Sequence, residues 1–253
     1  MQVWHMSGAG NDFAVIDARG LTLELSSLAK SLCERTGADG FMAVDYATDA
    51  DLTLHFYNAD GSRGEMCGNG SRCICRFAYD RGIAGASMTV HTDAGLIQGW
   101  RLGENTYRVK LNPPSIVDLH RRSDAAYVEL GDPGIPHALV ELPGLTFDMA
   151  GSLRSRAKAL RYDPRFPKGA NITFFAQLAP GEVRVLTYER GVEDYTLACG
   201  TGCGSLAVTL QALGRLPEGK LTCHNRGGDL QITLNGPCPY LEGPTEYLET
   251  FTV

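Results

Sequence analysis

Cys67-Gly-Asn-Gly70 in the first half of the sequence is matched by Cys199-Gly-Thr-Gly202 in the second half, and each quartet opens a stretch with helical character. A weaker pair lies near the start of each half, where Gly10-Asn-Asp-Phe-Ala-Val15 corresponds to Gly134-Ile-Pro-His-Ala-Leu139. Repetition at this spacing indicates that one structural unit has been duplicated. We therefore expect two similar halves.

The secondary structure predicted around these quartets is a mixture of strands and a few helices. Three segments alternate apolar and polar residues in the manner of half-buried strands, namely 52–57, 107–111 and 183–188. Helices are predicted at 26–35, 68–81 and 200–213. Ser26 or Ser27 is the expected cap of the first helix. Strands dominate this pattern.

The boundary between the halves is predicted at Asn112-Pro-Pro-Ser115, where two prolines end a strand. This divides the chain into an N-terminal half, 1–115, and a C-terminal half that begins at residue 116. Glycine and proline are spread along the chain as turn residues, and no flexible linker is evident.

Composition excludes several classes of protein. The chain has 253 residues, of which 43% are hydrophobic and 21% charged, so it can bury a core and is not disordered. Lys and Arg number 23 against 29 Asp and Glu, which predicts no binding of nucleic acid. No apolar run approaches the roughly 18 residues of a membrane span, and no secretion signal is recognised. We expect a cytoplasmic protein whose eight cysteines are reduced.

A Cys-Gly-x-Gly quartet at the start of a helix favours the binding of an anion. Glycine permits a tight turn, and the first amides of a helix have no internal partner and carry the positive end of the dipole. A carboxylate fits such a position, and the same field is expected to lower the pKa of the adjacent thiol from about 8.5. Cys67 and Cys199 are therefore predicted to be reactive.

Two such sites acting on one small molecule would place a sulfur on either side of the carbon next to its carboxylate. One thiolate would remove the α-proton while the other thiol protonated the opposite face, which is racemisation or epimerisation. The backbone amides would stabilise the charge that develops on the carboxylate. The expected partner is thus an amino-acid substrate.

No cofactor and no metal are predicted. None of the lysines stands in a context that suggests a Schiff base to pyridoxal phosphate: Lys30, Lys110, Lys158, Lys168 and Lys220. Cys67, Cys73 and Cys75 lack the C-x2–4-C pairs that structural zinc prefers. The cysteines outside the two quartets are interpreted as structural.

In these features the sequence resembles the diaminopimelate epimerases, a family of two-cysteine epimerases without a cofactor. The ordered matches are Gly8-Ala-Gly-Asn-Asp-Phe13, Gly37-Ala-Asp-Gly40, Phe56-Tyr-Asn-Ala-Asp-Gly-Ser62, Met66-Cys-Gly-Asn-Gly-Ser-Arg-Cys73, Pro136-His137, Asn171, Tyr188-Glu-Arg-Gly191 and Leu197-Ala-Cys-Gly-Thr-Gly202. The resemblance implies an α/β fold of two similar halves, each with mainly antiparallel strands around a central helix, and an active site in the cleft between the halves. It also implies that a last strand, 244–253, returns from the C-terminal half, 116–243, to the first half.

The resemblance also implies roles for individual residues. Cys67 and Cys199 are the acid/base pair, and His137 and Glu189 polarise Cys67 and Cys199 respectively. The reacting carboxylate is held by the amides of Gly68, Asn69, Gly200 and Thr201, in a pocket lined by Asn11. The distal amino-carboxylate end of the substrate is held by Asn58, Asn171 and Arg190, with Glu189 also in contact with the substrate. Arginine suits this position because its fork matches a carboxylate.

One departure from the family pattern leaves the substrate open. Ile135 stands where many members carry an Asn that helps to hold the distal head group. The first hypothesis is interconversion of LL- and meso-diaminopimelate for lysine and peptidoglycan synthesis. The alternatives are a racemase of another amino acid, histidine for example, and a non-catalytic binding or thiol redox-sensing protein. The sequence is compatible with a homodimer and does not determine the oligomeric state.

Overall fold

The computed structural model describes residues 1–64, 67–216 and 218–253. Met66, the first residue of one of the matched motifs, lies outside the described residues. The chain forms two compact units: the first unit comprises Met1–Lys110 with Gly243–Val253, and the second unit comprises Leu111–Glu242.

The described residues form eighteen strands and four α-helices. Before residue 111 the strands are β1 Gln2–Gly8, β2 Asn11–Asp17, β3 Gly40–Asp45, β4 Leu52–Asn58, β5 Arg63–Gly64, β6 Ser87–Thr92, β7 Gly95–Arg101 and β8 Thr106–Lys110. The following strands are β9 Pro114–Arg122, β10 Ala125–Gly131, β11 Gly134–Glu141, β12 Asn171–Ala179, β13 Glu182–Glu189, β14 Asp194–Tyr195, β15 Lys220–Asn225, β16 Gly228–Asn235, β17 Cys238–Pro244 and β18 Glu246–Thr252. The helices are α1 Leu25–Thr36, α2 Gly68–Asp80, α3 Ala150–Arg161, preceded by a short 3-10 turn at Phe147–Met149, and α4 Gly200–Ala212.

The two units repeat one order of strand pairing. In the first unit the order is β18-β1-β2-β3-β4-β6-β7-β8, and the pairs β2–β3 and β4–β6 are parallel while the others are antiparallel. In the second unit the order is β9-β10-β11-β12-β13-β15-β16-β17, with β11–β12 and β13–β15 as the parallel pairs. The short strands β5 and β14 occupy equivalent positions beside β4 and β13.

A central helix packs against the strands of each unit. Helix α2 contacts β1, β2, β3, β7 and β8, and α4 contacts β9, β10, β11, β15 and β16. The predicted fold class, α/β with two similar halves of mainly antiparallel strands around a central helix, is therefore confirmed. No helix in the described part of the chain is long and apolar enough to cross a membrane.

The start of α1 differs from the prediction. The helix begins at Leu25, and its N-cap is Glu24, whose carboxylate accepts hydrogen bonds from the amide and the hydroxyl of Ser27 at 3.4 and 3.1 Å. The hydroxyl of Ser26 instead donates to the carbonyl of Gly61 at 2.8 Å. The prediction of a serine cap is wrong because both serines lie inside the helix, and the Ser26 hydroxyl binds the distant turn at Gly61.

Helix α3 was missed from the sequence. Its apolar residues Leu153, Ala157 and Leu160 follow helical spacing and are buried in the core of the second unit, against strands β12 and β13. It connects β11 to β12 as α1 connects β2 to β3, so the duplication itself could have predicted it.

The boundary between the units lies between Lys110 and Leu111, before the two prolines. The amide of Leu111 donates to the carbonyl of Pro239 within the second unit, and β9 begins at Pro114. The prolines therefore belong to the start of the second unit. Strand β18 pairs with β1 in the first unit, with Gln2 opposite Thr252.

Candidate active site

The first half-site is built on the start of α2. Cys67 is its N-cap residue, with extended backbone angles of φ −131° and ψ 119°. The first amide to bond back along the helix is that of Ser71, which donates to the carbonyl of Cys67 at 2.8 Å, and the Ser71 hydroxyl donates to the same oxygen. The amides of Gly68 and Asn69 therefore precede the first intrahelical hydrogen bond, at the positive end of the helix dipole.

Close packing of this helix start explains the need for glycine. A Cβ atom added to Gly70 would lie 1.8 Å from the methyl carbon of Met42. A Cβ atom on Gly8, at the end of β1, would lie 2.7 Å from the main-chain oxygen of Asn69. Strands β1 and β3 thus hold the first turn of α2 in place through contacts that any larger residue would disrupt.

The thiol of Cys67 is partly exposed and donates to the side-chain oxygen of Asn11 at 3.4 Å. The amide nitrogen of Asn11 donates in turn to the carboxylate of Asp39 at 2.6 Å. Asp39 also accepts the backbone amide of Asp12 at 2.9 Å. Asp39 therefore sets the orientation in which the oxygen of Asn11 faces the sulfur. Sequence reasoning gave Asp39 no role, although it lies in the quoted Gly37–Gly40 motif.

Asn58 ends β4 in a tight turn, as its sequence neighbours indicated. Its side-chain nitrogen donates to the hydroxyl of Ser62 at 2.9 Å, and its carbonyl accepts the amide of Gly61, which has a positive φ of 81°. The Asn58 side chain is exposed. Contact of Asn58 with a substrate stays a prediction.

The second half-site repeats the first at the start of α4. Cys199 is the N-cap residue, with φ −120° and ψ 106°, and its carbonyl accepts the amide of Cys203 at 3.0 Å. The amides of Gly200 and Thr201 precede this bond, as the equivalent amides do in α2. A Cβ atom on Gly202 would lie 3.0 Å from the hydroxyl oxygen of Thr173, so this glycine is also enclosed.

The pKa of the Cys199 thiol lies well above its ordinary value. Burial is the main cause and the charge of Glu189 the next, and these outweigh the hydrogen bonds from the Thr201 hydroxyl and the Gly202 amide that stabilise the thiolate. The expectation that the helix terminus lowers the thiol pKa is therefore wrong for Cys199, which is only 6% exposed. Cys199 is protonated at neutral pH.

His137 is completely buried beside this half-site. Its Nε2 atom lies 3.0 Å from the Thr201 hydroxyl oxygen and 3.4 Å from the side-chain nitrogen of Asn171. Burial, and secondarily the charge of Arg190, lower the pKa of His137 to about 3. The imidazole is therefore neutral. Its predicted action on Cys67 stays a prediction, whereas its contact with Thr201 connects it to Cys199.

The remaining predicted residues of the second unit are joined by hydrogen bonds. The side-chain oxygen of Asn171 accepts the backbone amide of Arg190 at 2.8 Å, and its nitrogen donates to the carbonyl of Pro136 at 3.1 Å. Glu189 accepts a hydrogen bond of 2.6 Å from the hydroxyl of Thr196, a residue that sequence reasoning missed. Asn171 thus joins strand β11 to the backbone of Arg190.

The described residues of each unit therefore bring most of the predicted side chains together around one cysteine. The first unit groups Asn11, Gly68 and Asn69 with Cys67, and the second groups His137, Asn171, Glu189, Arg190, Gly200 and Thr201 near Cys199. Within the described residues no cluster of three or more His, Cys, Asp or Glu side chains is arranged to hold a metal ion.

The duplicated α/β fold, with a central helix in each half, has counterparts among solved structures. The same fold is found in the crystal structure of a hydroxyproline epimerase from Agrobacterium vitis, with a TM-score of 0.73 and 17% identity over 99% of this chain and 91% of that chain. This likeness shows the fold alone.

The sequence profile of the family described as diaminopimelate epimerase matches residues 3–117 and 131–247. The diaminopimelate epimerase of Hydrogenobaculum sp. (strain Y04AAS1) is 35% identical over 273 aligned residues, covering 97% of this chain and 95% of the relative. That of Aquifex aeolicus is 34% identical, covering 91% and 88%. The chain belongs to the diaminopimelate epimerase family.

Proposed function

We propose that this protein interconverts LL- and meso-diaminopimelate in lysine and peptidoglycan biosynthesis, with Cys67 and Cys199 as the acid/base pair. The observation that carries the proposal is the repeated helix start: in each unit a cysteine is the N-cap residue of the central helix, directly before amides at the positive end of the dipole. Membership of the family supports diaminopimelate as the substrate.

In the proposed mechanism one sulfur removes the α-proton as a thiolate, and the other delivers a proton to the opposite face of the carbanion. Cys199 enters as the thiol, because burial and Glu189 disfavour its thiolate. Cys67 acts as the base in that direction once it has lost to solvent the proton that it donates to Asn11, and the two sulfurs exchange protonation states with each inversion. Both thiols have to reach one α-carbon, so the proposal retains the predicted cleft.

The reacting carboxylate is assigned to the amides of Gly68, Asn69, Gly200 and Thr201. Removal of the α-proton places charge on this carboxylate, and amides fixed in a helix start stabilise it without reorganising. The distal carboxylate is assigned to Arg190, whose exposed guanidinium can bind it in bidentate fashion.

A second candidate function follows from Ile135. This residue is partly buried near the start of β11, two residues before His137, and its side chain cannot donate a hydrogen bond to a distal carboxylate. A racemase of another amino acid would use the same thiols with a different head-group site.

Proton exchange in deuterated water tests both candidates. The reduced enzyme is incubated separately with LL-diaminopimelate and with single-centre amino acids including L-histidine, and deuterium at the α-carbon is followed by NMR. We expect exchange with diaminopimelate that is lost in Cys67→Ala and in Cys199→Ala. Cys33→Ala is the matched control, because Cys33 is a buried thiol on α1 whose pKa is raised by burial to about 11.

The outcomes separate the hypotheses. Exchange confined to another amino acid would replace the diaminopimelate assignment by the second candidate, and no exchange with any substrate would favour the binding or redox-sensing alternative. We further propose that the enzyme acts in the cytoplasm, where its thiols stay reduced. Sedimentation of the active enzyme distinguishes a monomer from the homodimer that the sequence left open.

A further inference from the structure

A buried carboxylate outside the predicted site lies in β10. Glu129 is only 3% exposed and accepts hydrogen bonds from the hydroxyl of Tyr127 at 2.5 Å and from the ammonium of Lys168 at 2.8 Å. Burial opposes ionisation, but these two donors hold the pKa of Glu129 below its ordinary value. A buried charge is costly unless it is paired, so a carboxylate in this position calls for an explanation.

Glu129 is connected to the distal-carboxylate residue through Lys168. The main-chain carbonyl of Lys168 accepts a hydrogen bond from Nη1 of Arg190 at 3.0 Å. The side chain of Lys168 is the one that binds Glu129, so one residue joins the buried carboxylate to the guanidinium. The backbone of Arg190 is held separately by Asn171.

Lys168 lies in the irregular segment between α3 and β12, where the amide of Gly169, which shares a peptide with the Lys168 carbonyl, donates to the carbonyl of Phe166 at 2.7 Å. Two further contacts of this segment come from Tyr127 and Glu129, alternate residues of β10. The ring of Tyr127 stacks on Phe166 with centroids 5.4 Å apart, and Glu129 binds the Lys168 ammonium. Together they hold both ends of the short stretch from Phe166 to Lys168.

Glu129 also lies against the start of β11. A Cβ atom on Gly134 would be 2.5 Å from the Cβ atom of Glu129 and 2.8 Å from its carboxylate. Gly134 directly precedes Ile135, whose aliphatic side chain cannot donate a hydrogen bond. The buried carboxylate therefore lies beside the backbone that leads into Ile135.

We propose that Glu129 and Lys168 are positioning residues for the distal carboxylate of the substrate, because the ion pair fixes the Lys168 carbonyl and that carbonyl orients the Arg190 guanidinium. Glu129 also neutralises the Lys168 ammonium. This inference rests on the proposed function and deepens it at the distal end.

The test compares KM with kcat for LL-diaminopimelate in three variants. In Glu129→Gln the amide keeps the shape and can still accept from Tyr127, while Lys168, whose side chain is 52% exposed, is released to solvent. Loss of one charge-assisted hydrogen bond predicts a rise in KM of about tenfold, with kcat within about twofold. Lys168→Met should raise KM by a similar factor. Lys168→Arg keeps the positive charge and should have the wild-type KM. Lys158→Met, at an exposed position on α3, is the matched control.

L-Lysine separates positioning from general damage, because it is diaminopimelate without one carboxyl group. We expect its inhibition constant to be the same in wild type, Glu129→Gln and Lys168→Met. Unchanged KM in both variants, or an equal loss of lysine binding, would overturn the inference. Thermal unfolding checks that each variant is folded. If Glu129→Gln does not fold, Lys168→Met tests the inference, because the Lys168 side chain is half exposed. A wild-type enzyme without activity on diaminopimelate would instead overturn the proposed function.

Discussion

The Nε2 atom of His137 lies 3.0 Å from the hydroxyl oxygen of Thr201, which itself lies 3.6 Å from the sulfur of Cys199. One hydroxyl therefore connects a buried neutral imidazole on β11 to the thiol at the start of α4. The Thr201 residue has two functions in this arrangement, because its backbone amide belongs to the helix start and its side chain contacts the sulfur. These functions can be separated by mutation.

Thr201→Val removes the hydroxyl and keeps the shape and the backbone amide. The hydroxyl lowers the pKa of Cys199, so its loss raises that pKa further and reduces the fraction of thiolate when Cys199 has to act as base. We expect kcat to fall about tenfold at neutral pH, the scale of one hydrogen bond to a charged group, and the limb of the pH profile that reports the thiolate to move to higher pH. Thr201→Ser is the control and should retain the wild-type profile. An unchanged profile in Thr201→Val would show that the hydroxyl does not act on the sulfur.

The buried state of His137 predicts a dependence of stability on pH. Burial lowers its pKa to about 3, whereas the unfolded chain binds a proton near the ordinary value of 6.5. Between these values the unfolded state binds more protons, so the stabilisation is complete above pH 6.5 and is lost progressively as the pH falls toward 3. The free energy of unfolding should decline by up to about 1.4 kcal/mol per pH unit in that window.

Urea unfolding at several pH values between 4.5 and 7.5 measures this slope. In His137→Gln the contribution of the imidazole is absent, so the slope should become shallower even if the variant is less stable at every pH. His120→Gln, at an exposed position on β9, is the control and should keep the wild-type slope. Equal slopes in all three proteins would contradict the assignment.

The parts of the fold that the sequence predicted are those encoded by local pattern. The Cys-Gly-x-Gly quartets located the starts of α2 and α4 at the correct residues, and alternation located β4, β8 and β13 to within a residue or two at each end. The compact units divide between Lys110 and Leu111, a few residues before the predicted boundary at the prolines, because prolines mark an irregular backbone and do not show which core covers it. These features depend on neighbours in the chain.

Other features depend on residues that are distant in the chain. The raised pKa of Cys199 results from burial and from Glu189, and neither effect is visible in the quartet itself. Glu129 looks like an ordinary polar residue of a strand, and its burial against Lys168 follows from the packing of the segment after α3. The Asn11–Asp39 hydrogen bond likewise joins two motifs that the sequence presented separately.

Alanine substitutions at Gly8 and at Gly151 are expected to change the stability of the protein in opposite directions. In Gly8→Ala the new Cβ atom would lie 2.7 Å from the main-chain oxygen of Asn69, so the Asn69–Gly70 peptide has to move, and the adjoining Asn69 amide that is assigned to the substrate carboxylate moves with it. We expect a loss of at least tenfold in kcat/KM, because catalytic electrostatics depend on fixed donors, and a destabilisation of about 1–3 kcal/mol. Gly151→Ala, on the exposed face of α3 with no atom within 4 Å, should instead stabilise the protein by up to about 1 kcal/mol. Thermal unfolding and initial rates on both variants check the contrast.

Alkylation should distinguish the thiols by their burial. Cys67 is partly exposed, while burial raises the pKa of Cys73 and of Cys75 to about 12. Iodoacetamide at pH 8 should therefore label Cys67 first, and the loss of activity should follow its labelling. Peptide mass spectrometry over time measures the order, with urea-unfolded protein as the control in which all cysteines react. Labelling of Cys73 or Cys75 in the folded enzyme before Cys67 would contradict the buried packing of α2, since a thiol enclosed by that helix reacts only after the helix has opened.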